Sequence, residues 1–275
     1  MRMRHLWAVC SLVLAADPNI PHEHKGTLDP FKNGPPAPLS SAELAQLNAG
    51  KSVQKIDELA GGKGARAVTV FDIAAPPATV WACILDLKNY PKMVPGVAAM
   101  EVYKAPSASG GTTTTLAKWT LALLGYRLSY YLETRYEPRS NSMTFRLDYS
   151  RNSDIDDTVG YWHVAPLNKA DGSTHSRVTY SAALTLKGWF PKPVVDILFA
   201  TTIGRATSWV GLEATKRFAA AGGSASGKSS CRRTWKGKVC VSTPPSPPPP
   251  PEREQPAFAM AVLTVLFCLY TVMKL

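Results

Sequence analysis

The side chains suited to acid–base chemistry lie in the middle of the chain. His163 is the first candidate for a general acid or base and Asp148 the second, with Arg146 or Arg127 as a charge partner. Such chemistry needs the acid or base to project into a cavity with a pKa matched to the reaction. A histidine in a strand is usually a hydrogen-bonded structural residue, and the chain has no GxSxG nucleophile motif. We therefore expect no catalytic residue, and His163 is the one to test.

Two groups of residues have metal-ligating side chains. His22 and His24 lie in a stretch rich in proline and glycine, where a solvated loop is expected. Asp154, Asp156 and Asp157 lack the spacing of an EF-hand, so we expect a solvated strand edge there. The chain has no CxxC motif and no Cys/His cluster that would suggest zinc. The sequence therefore predicts neither a metal site nor a cofactor.

The cysteines allow one disulfide bond. Cys10 and Cys268 fall in apolar terminal segments, and Cys83 lies in the body of the chain. Cys231 and Cys240 would close a small basic loop if the chain is secreted. Two cysteines at this spacing do not establish a bridge by themselves, so the bond remains a possibility.

The elements that position these residues begin with two helix starts. Ser40 and Glu43 form a capping-box pattern ahead of a short helix that ends at Gly50. Pro76 and Pro77 open a second helix. Two strands are predicted between them, Val53–Leu59 and Arg66–Ile73. Period-two patterns then predict six more strands, near 97–104, 112–123, 126–137, 142–150, 157–165 and 174–186.

A long helix is predicted after the last strand, at about 192–221. Its apolar stripe recurs at three- and four-residue steps and comprises Val195, Leu198, Thr202, Ala206, Trp209, Leu212 and Lys216. A helix, many antiparallel strands and a long C-terminal helix indicate an α+β fold. We expect a curved antiparallel sheet wrapped around that helix, with an apolar cavity between them.

Both ends of the chain look like targeting or tether segments. A basic start and a short apolar stretch predict a signal peptide over residues 1–16, with a cleavage pattern at Val13 and Ala15 or at Leu14 and Ala16. Residues 17–39 form an extended lead-in. The apolar segment 257–273 predicts a transmembrane helix. A glycolipid-anchor signal and a buried core helix are the alternatives there.

Between these ends we place one ligand-binding domain at 40–222, followed at 223–256 by a basic cysteine loop and a proline-rich linker. The net charge of the chain is +11, but nearly half of this excess lies beyond residue 222. No run of interleaved arginine and aromatic residues marks the body as a nucleic-acid surface. We therefore expect no nucleic-acid partner.

The segment from Ala67 to Tyr103 resembles the START-like (SRPBCC) superfamily, most of all its branch of coenzyme Q-binding and polyketide cyclase-type proteins. The shared pattern comprises Asp72–Ile73, Ala75–Pro76, Val80–Trp81, Asp86–Leu87, Tyr90–Pro91, Pro95 and the strand at Val97–Tyr103. Gly160–Tyr161–Trp162, the strand at 174–186 and the final helix follow in the expected order, so the resemblance spans about residues 50–221.

The resemblance implies a helix-grip fold with a pocket for a lipid, sterol, isoprenoid quinone or polyketide. Positions on the facing elements supply the expected pocket wall: Met93, Val94, Trp119, Tyr130, Phe145, Tyr161, Leu184, Phe190, Leu198, Thr202 and Trp209. Ordinary core packing is the alternative for each of them. A one-residue slip of register would reverse the face on which every strand residue lies.

The functional expectation is a membrane-tethered, monomeric protein of the secretory pathway or cell surface that binds a hydrophobic small molecule. An organelle membrane is the other location considered. A cyclase- or dehydratase-like enzyme that uses the same cavity is the first alternative function. A tethered scaffold domain without a ligand is the second.

Overall fold

The computed structural model describes residues 16–59, 64–123, 126–169, 172–188, 208–223, 230–234 and 237–241. The elements in chain order are α1 (Ser41–Asn48), β1 (Val53–Glu58), β2 (Gly64–Ile73), α2 (Pro77–Ile84), α3 (Tyr90–Met93), β3 (Val97–Ser109), β4 (Thr112–Leu123), β5 (Tyr126–Glu137), β6 (Ser142–Leu147), β7 (Asp157–Asn168), β8 (Thr174–Thr185), α4 (208–220), β9 (Ser230–Thr234) and β10 (Gly237–Val241).

Strands β1 to β8 form one curved antiparallel sheet in the order β1-β2-β8-β7-β6-β5-β4-β3. Strands β3 to β8 pair with their neighbours in sequence, whereas β2 pairs with β8 and carries β1 to the edge. Register shifts between β3 and β4 mark bulges, which bend a sheet locally. All eight predicted strands are confirmed. The one predicted at 142–150 ends earlier, at Leu147, and the one at 157–165 continues to Asn168.

Both predicted helix starts are also confirmed. The Ser40 hydroxyl accepts the Glu43 N–H at 3.3 Å, and the Glu43 carboxylate accepts the Ser40 N–H at 2.7 Å. This reciprocal pair satisfies donors that the first turn of α1 leaves free. Helix α2 begins at Pro77, where a missing N–H costs no helical hydrogen bond.

The two faces of the sheet have different roles. We call the inner face the one that packs against α2, α3 and α4. Side chains from these helices and from β2 and β6–β8 form one buried cluster, which contains Ile73, Val80, Trp81, Ile84, Tyr90, Met143, Trp162, Val164, Val178, Trp209, Val210 and Ala214. The other face, the outer face, carries α1 at one edge, where Leu47 packs on Val53 and Val70.

The turn after α2 is tied to α4 by an ion pair. Arg217 of α4 donates to the Asp86 carboxylate at 2.7 Å, and Asn89 donates to the same carboxylate at 3.0 Å. Burial opposes the ionisation of Asp86, but these hydrogen bonds outweigh it and lower its pKa. The Tyr90 hydroxyl donates to the carbonyl oxygen of Ile84. These contacts hold the chain segment that crosses the end of the inner face.

The predicted apolar stripe of the final helix is wrong in its described part. Trp209 is buried as expected, but Leu212 is 68% exposed and the Lys216 side chain is also exposed. Five positions along a helix separate two side chains by about 140°. Because Arg217 faces Asp86, Leu212 is turned toward solvent, and Val210 and Ala214 take the buried positions. The rest of the predicted helix lies outside the described residues.

The lead-in packs against the outer face, so the expectation of a solvated loop around His22 is wrong. His22 is only 6% exposed. Its Nδ1 accepts the Ser153 N–H at 3.2 Å, and its Nε2 lies 2.6 Å from the Asp156 carbonyl oxygen. Further along, Phe31 stacks on Tyr161, with ring centroids 5.9 Å apart. We call residues 16–34 the strap.

Asp157, the first residue of β7, holds the strap, which corrects the prediction of a solvated strand edge. Asp157 is 0% exposed, and its carboxylate accepts the N–H groups of Thr27 at 2.6 Å and Leu28 at 2.9 Å. The same carboxylate accepts the Tyr149 hydroxyl and the Thr158 N–H, each at 2.8 Å. Hydropathy patterns do not show such pairing, because a carboxylate looks equally polar in solvent and in a buried anchor.

Gly160 allows the Phe145 ring to lie across its strand. A Cβ atom at position 160 would overlap this ring. We expect Gly160→Ala to lower the free energy of unfolding by about 1–3 kcal/mol, the usual cost of overpacking. Urea unfolding of the two single variants and the double variant checks this. In the Phe145→Ala background, Gly160→Ala should cost much less, because the ring that it would overlap is gone. Equal costs in the two backgrounds would show that the ring is not the cause.

The second compact unit, residues 229–275, is described only as a two-stranded hairpin of β9 and β10. Its backbone register places Cys231 opposite Cys240. The predicted disulfide bond remains a prediction. Among the described residues no helix has the length and apolarity to span a membrane. The predicted span at 257–273 lies outside them.

Candidate functional site

The inner face of the sheet is built from uncharged side chains. Successive side chains of a strand point to opposite faces, and in β2 and β4–β8 the residues on the inner face are apolar, aromatic or hydroxyl-bearing. Those that pack in its clusters include Phe71, Trp119, Leu121, Leu128, Tyr130, Leu132, Tyr136, Met143, Phe145, Leu147, Trp162, Val164, Val178, Tyr180 and Leu184. Such a surface suits an apolar molecule, since small-molecule sites are mostly apolar with a few polar groups.

Aromatic rings pack against one another on this face, next to the turn after α2. Trp119 and Tyr130 lie side by side on β4 and β5 and stack at 6.0 Å between centroids. Tyr90 meets Trp119 edge-on at 5.2 Å and Trp209 of α4 at 5.1 Å. Rings in these arrangements stabilise one another beyond their buried area. Tyr90 therefore bridges the sheet and the final helix.

Two tyrosine hydroxyls on the inner face lack a protein partner in the described part of the chain. Tyr130 and Tyr180 are only partly buried, and neither hydroxyl has a hydrogen bond there. Burial raises the pKa of Tyr180 to about 12. Burial also raises the pKa of Tyr130, and the nearby Tyr180 adds to this shift. Both groups are neutral at physiological pH and can donate a hydrogen bond.

Two further polar atoms on this face are buried and have no partner among the described residues: the Oγ1 atom of Thr69 and the Nε1 atom of Trp119. A buried donor or acceptor left unpaired costs about 1–3 kcal/mol. A native structure that retains such atoms calls for an explanation, and a bound polar group is one.

The predicted pocket residues fall into three groups. Trp119, Tyr130, Phe145 and Leu184 lie on the inner face, while Met93 and Val94 pack beside it at the end of α3. Trp209 is buried in the core between α4 and Tyr90. Phe190, Leu198 and Thr202 lie outside the described residues. Ligand contact at any of these positions stays a prediction.

Among the expected pocket residues that the structure describes, Tyr161 is the one that lies on the outer face. Its hydroxyl donates to the carbonyl oxygen of Gly34, and its ring stacks between Phe31 and His163. The neighbouring Trp162 faces inward instead and packs on Tyr180 at 4.4 Å. Two adjacent aromatic residues fit either phase of a period-two pattern, so the sequence did not distinguish them.

Tyr180 was not among the residues predicted to line the pocket. It lies four residues before Leu184, on the same strand face, so the period-two pattern that selected Leu184 also contained it. Thr69 was missed as well, because a threonine in a strand gives no sign that its hydroxyl is unpaired.

The predicted acid–base residues lie away from the inner face. His163 stacks on Tyr161 on the outer face, and burial lowers its pKa. Asp148 accepts the Tyr103 hydroxyl at 2.6 Å, and Arg146 lies 3.4 Å from the Glu133 carboxylate. The structure therefore does not bring these groups together at a common cavity.

In the described part of the chain, the outer face contains a group of possible metal ligands and a small cavity. Ligand atoms of His22, His24 and Asp156 lie within 4.8 Å of one another. Both ring nitrogens of His22 already have protein partners, so a metal there would displace hydrogen bonds. The cavity beneath the strap holds about 180 Å³ and is bordered by Lys25, Arg146 and other residues. It is smaller than the roughly 300 Å³ at which small-molecule pockets begin.

A curved antiparallel sheet that grips helices on an uncharged inner face defines a START-like protein. The family model described as polyketide cyclase / dehydrase and lipid transport matches residues 65–210, more than half of the chain. The chain belongs to this family. The coenzyme Q-binding side of the resemblance stays a prediction.

Three of the similar solved structures are bacterial proteins. The Zhui aromatase/cyclase from Streptomyces sp. R1128 is 16% identical, with a TM-score of 0.48, and the match covers 58% of this chain and 99% of that one. A START superfamily protein from Mycobacterium smegmatis is 16% identical, with a TM-score of 0.46, and covers 55% of this chain and 98% of that one. A STAR-related lipid transfer protein from Xanthomonas axonopodis is 16% identical, with a TM-score of 0.44 and coverages of 59% and 93%. No curated protein matches the chain.

Proposed function

We propose that the inner face of the sheet binds an uncharged hydrophobic molecule that carries at least one oxygen atom, and that the protein holds or carries this molecule. The observation that supports this most is that the partly buried side chains of Tyr130 and Tyr180 have hydroxyls without a hydrogen-bond partner among the described residues. A hydroxyl or carbonyl oxygen of a ligand would accept their hydrogen bonds.

The affinity would come mainly from apolar burial. Removal of apolar surface from water contributes about 25 cal/mol per Å². A ligand that buries about 300 Å² would thus gain roughly 7 kcal/mol before the costs of association. The stacked rings of Trp119 and Tyr130 supply a flat apolar surface of this kind. No covalent step is required.

The polar part of the ligand is expected to be neutral. A charged group taken out of water is costly unless it is paired. The inner-face side chains named above are apolar or carry neutral hydroxyl and indole groups. Sterols, isoprenoid quinones and neutral polyketides satisfy this condition, whereas a buried carboxylate or phosphate does not.

We further propose that the domain acts beside a membrane. The signal peptide at 1–16, the proline-rich linker and the apolar segment at 257–273 support this through their composition alone. The β9–β10 hairpin contains Arg232, Arg233 and Lys238, and each basic residue near an anionic lipid surface contributes about 1 kcal/mol. A tethered carrier could exchange its ligand with that membrane.

The catalytic alternative through His163 receives no support from the geometry, because His163 lies on the outer face beside Tyr161. The scaffold alternative predicts an inner face that binds nothing. Native mass spectrometry separates it from the carrier proposal.

Removal of the two hydroxyls should weaken the binding of an oxygen-containing ligand. We expect Tyr130→Phe and Tyr180→Phe each to lower affinity about 2- to 12-fold, which corresponds to one neutral hydrogen bond. Binding is measured with a panel of a sterol, an isoprenoid quinone and a long-chain fatty acid. The first two should bind the wild-type protein more tightly than the fatty acid does.

Tyr131→Phe is the matched control, because Tyr131 lies on the outer face against Tyr103 and is buried. It should leave the affinities unchanged. Equal losses in the control and the inner-face variants, or preferred binding of the fatty acid, would contradict the assignment of these hydroxyls.

A further inference from the structure

Asp154 is a buried carboxylate that joins two distant parts of the chain. It is 9% exposed. One of its oxygens accepts the N–H of Ala16 at 2.8 Å, and the other accepts the N–H of Ser129 at 2.7 Å. Both donors are formally neutral backbone groups. A buried negative charge is costly to maintain unless a positive charge lies beside it.

Ala16 lies at one of the two cleavage positions that the sequence allows. Small residues at Val13 and Ala15 form the pattern after which a signal peptidase cuts. Hydrolysis of the Ala15–Ala16 peptide bond consumes one water molecule. It leaves a carboxylate on Ala15 and an amino group on Ala16. An α-amino group has an ordinary pKa of about 7.7–8.0, so most of it is protonated at neutral pH.

We propose that the chain is processed between Ala15 and Ala16, and that the new α-ammonium group of Ala16 forms a buried ion pair with Asp154. The nitrogen atom that now lies 2.8 Å from the Asp154 carboxylate would become the cation. Cleavage after Ala16 would instead remove this atom. The contact therefore favours cleavage between Ala15 and Ala16, so that the mature chain begins at Ala16 and not at residue 17.

The ion pair would anchor the first residue of the strap. Other strap residues are held by neutral donors, such as the Thr27 N–H on Asp157 at 2.6 Å. A hydrogen bond to a carboxylate strengthens when its donor is also charged. Processing would thus increase the stability of the folded domain, independently of any ligand on the inner face.

The cleavage position is tested on the full chain, which is expressed in a eukaryotic cell from Met1 without an N-terminal tag. Free α-amino groups are labelled, and the N-terminal peptide is identified by mass spectrometry. We expect the mature protein to begin at Ala16. A protein that begins at Asp17, or that keeps Met1, would overturn the proposal.

The ion pair is tested by comparing two otherwise identical chains that run to Leu275, one beginning at Ala16 and the other at Ala15. Each is released from a fusion partner by a site-specific protease. We expect the chain that begins at Ala16 to melt about 2–6 °C higher at pH 7. A charged hydrogen bond stabilises the folded state more than a neutral one, and in a domain of this size the difference raises the melting temperature by about that much.

Two controls show whether this difference arises from the ion pair. Pairing raises the pKa of an amino group, so the difference should be full at neutral pH and disappear as the pH rises through the raised pKa. Asp154→Asn should abolish it at every pH. Equal melting temperatures of the two wild-type chains at pH 7, or a difference that survives in Asp154→Asn, would overturn the ion pair.

Discussion

Replacement of Ala182 with tryptophan should strongly weaken ligand binding by the folded protein. Ala182 lies on the inner face between Tyr180 and Leu184, opposite Gly160, and its small side chain is only partly buried. An indole at this position would occupy the space that the ligand needs. We expect a loss of roughly 100-fold in affinity, since overpacking of this kind costs about 1–3 kcal/mol or more. The intermediate variant Ala182→Leu should show a smaller loss.

Ala122→Trp is the matched control for this occlusion. Ala122 follows Leu121 on β4, so it lies on the outer face, and it is exposed. The same change of side chain there should leave affinity within a factor of about two, because surface substitutions cost at most about 0.5 kcal/mol. Circular dichroism establishes that both variants are folded. Undiminished binding by folded Ala182→Trp would place the ligand elsewhere.

Asp157→Asn should cause the largest loss of stability among the variants considered. The substitution removes the charge and places an amide donor among five donors that now meet the carboxylate. Buried donors left unpaired, together with the lost charge-assisted bonds, should lower the free energy of unfolding by about 3–5 kcal/mol at pH 7. Chemical denaturation followed by tryptophan fluorescence measures this loss.

The pH dependence gives a second check on Asp157. Burial opposes its ionisation, but the hydrogen bonds from Thr27, Tyr149 and Leu28 outweigh burial and lower its pKa. A lowered pKa means that the contribution is complete above about pH 4–5, where the unfolded chain ionises, and is lost as the pH falls through the folded pKa. Asp157→Asn should therefore reduce the acid sensitivity of the protein.

Asp156→Asn is the natural control for Asp157, since it makes the same change one residue away. The Asp156 side chain is a third exposed and accepts the Thr185 hydroxyl at 3.2 Å. Its replacement should cost less than about 1 kcal/mol. Similar losses at the two positions would contradict the role of Asp157 as the anchor of the strap.

The sequence predicted the sheet well because its strands have a clear period of two. Met143, Phe145 and Leu147 alternate with polar residues, and all three pack on the inner face, as an apolar stripe should. The helix starts were equally predictable from the sequence, because Ser40 with Glu43 and the Pro76–Pro77 pair are local patterns. The START-like identification then followed from motif order, which the family model confirms.

The outer face was not predictable in this way. Tyr161 and Trp162 are both large and aromatic, so their alternation does not show which one faces inward. The pairing of His22 with Ser153 and of Thr27 with Asp157 spans about 130 residues. Such long-range hydrogen bonds leave no local pattern, and the polar residues that form them looked like solvated loops.

The inner-face position of four expected pocket residues was predictable from the sequence. Trp119, Tyr130, Phe145 and Leu184 were selected because apolar strand positions face a common interior, and the structure confirms that orientation. That the hydroxyls of Tyr130 and Tyr180 have no partner among the described residues required the structure, because a tyrosine in a strand gives no indication of whether its hydroxyl is already paired.

The most direct test of the central claim is native mass spectrometry of the full chain, purified from a eukaryotic host in a detergent that preserves bound molecules, followed by organic extraction. We expect one uncharged hydrophobic molecule per protein chain, with at least one oxygen atom, and we expect it to be absent from the Ala182→Trp variant. A wild-type protein that is empty and stays empty when offered sterols, quinones and other neutral lipids would contradict the account.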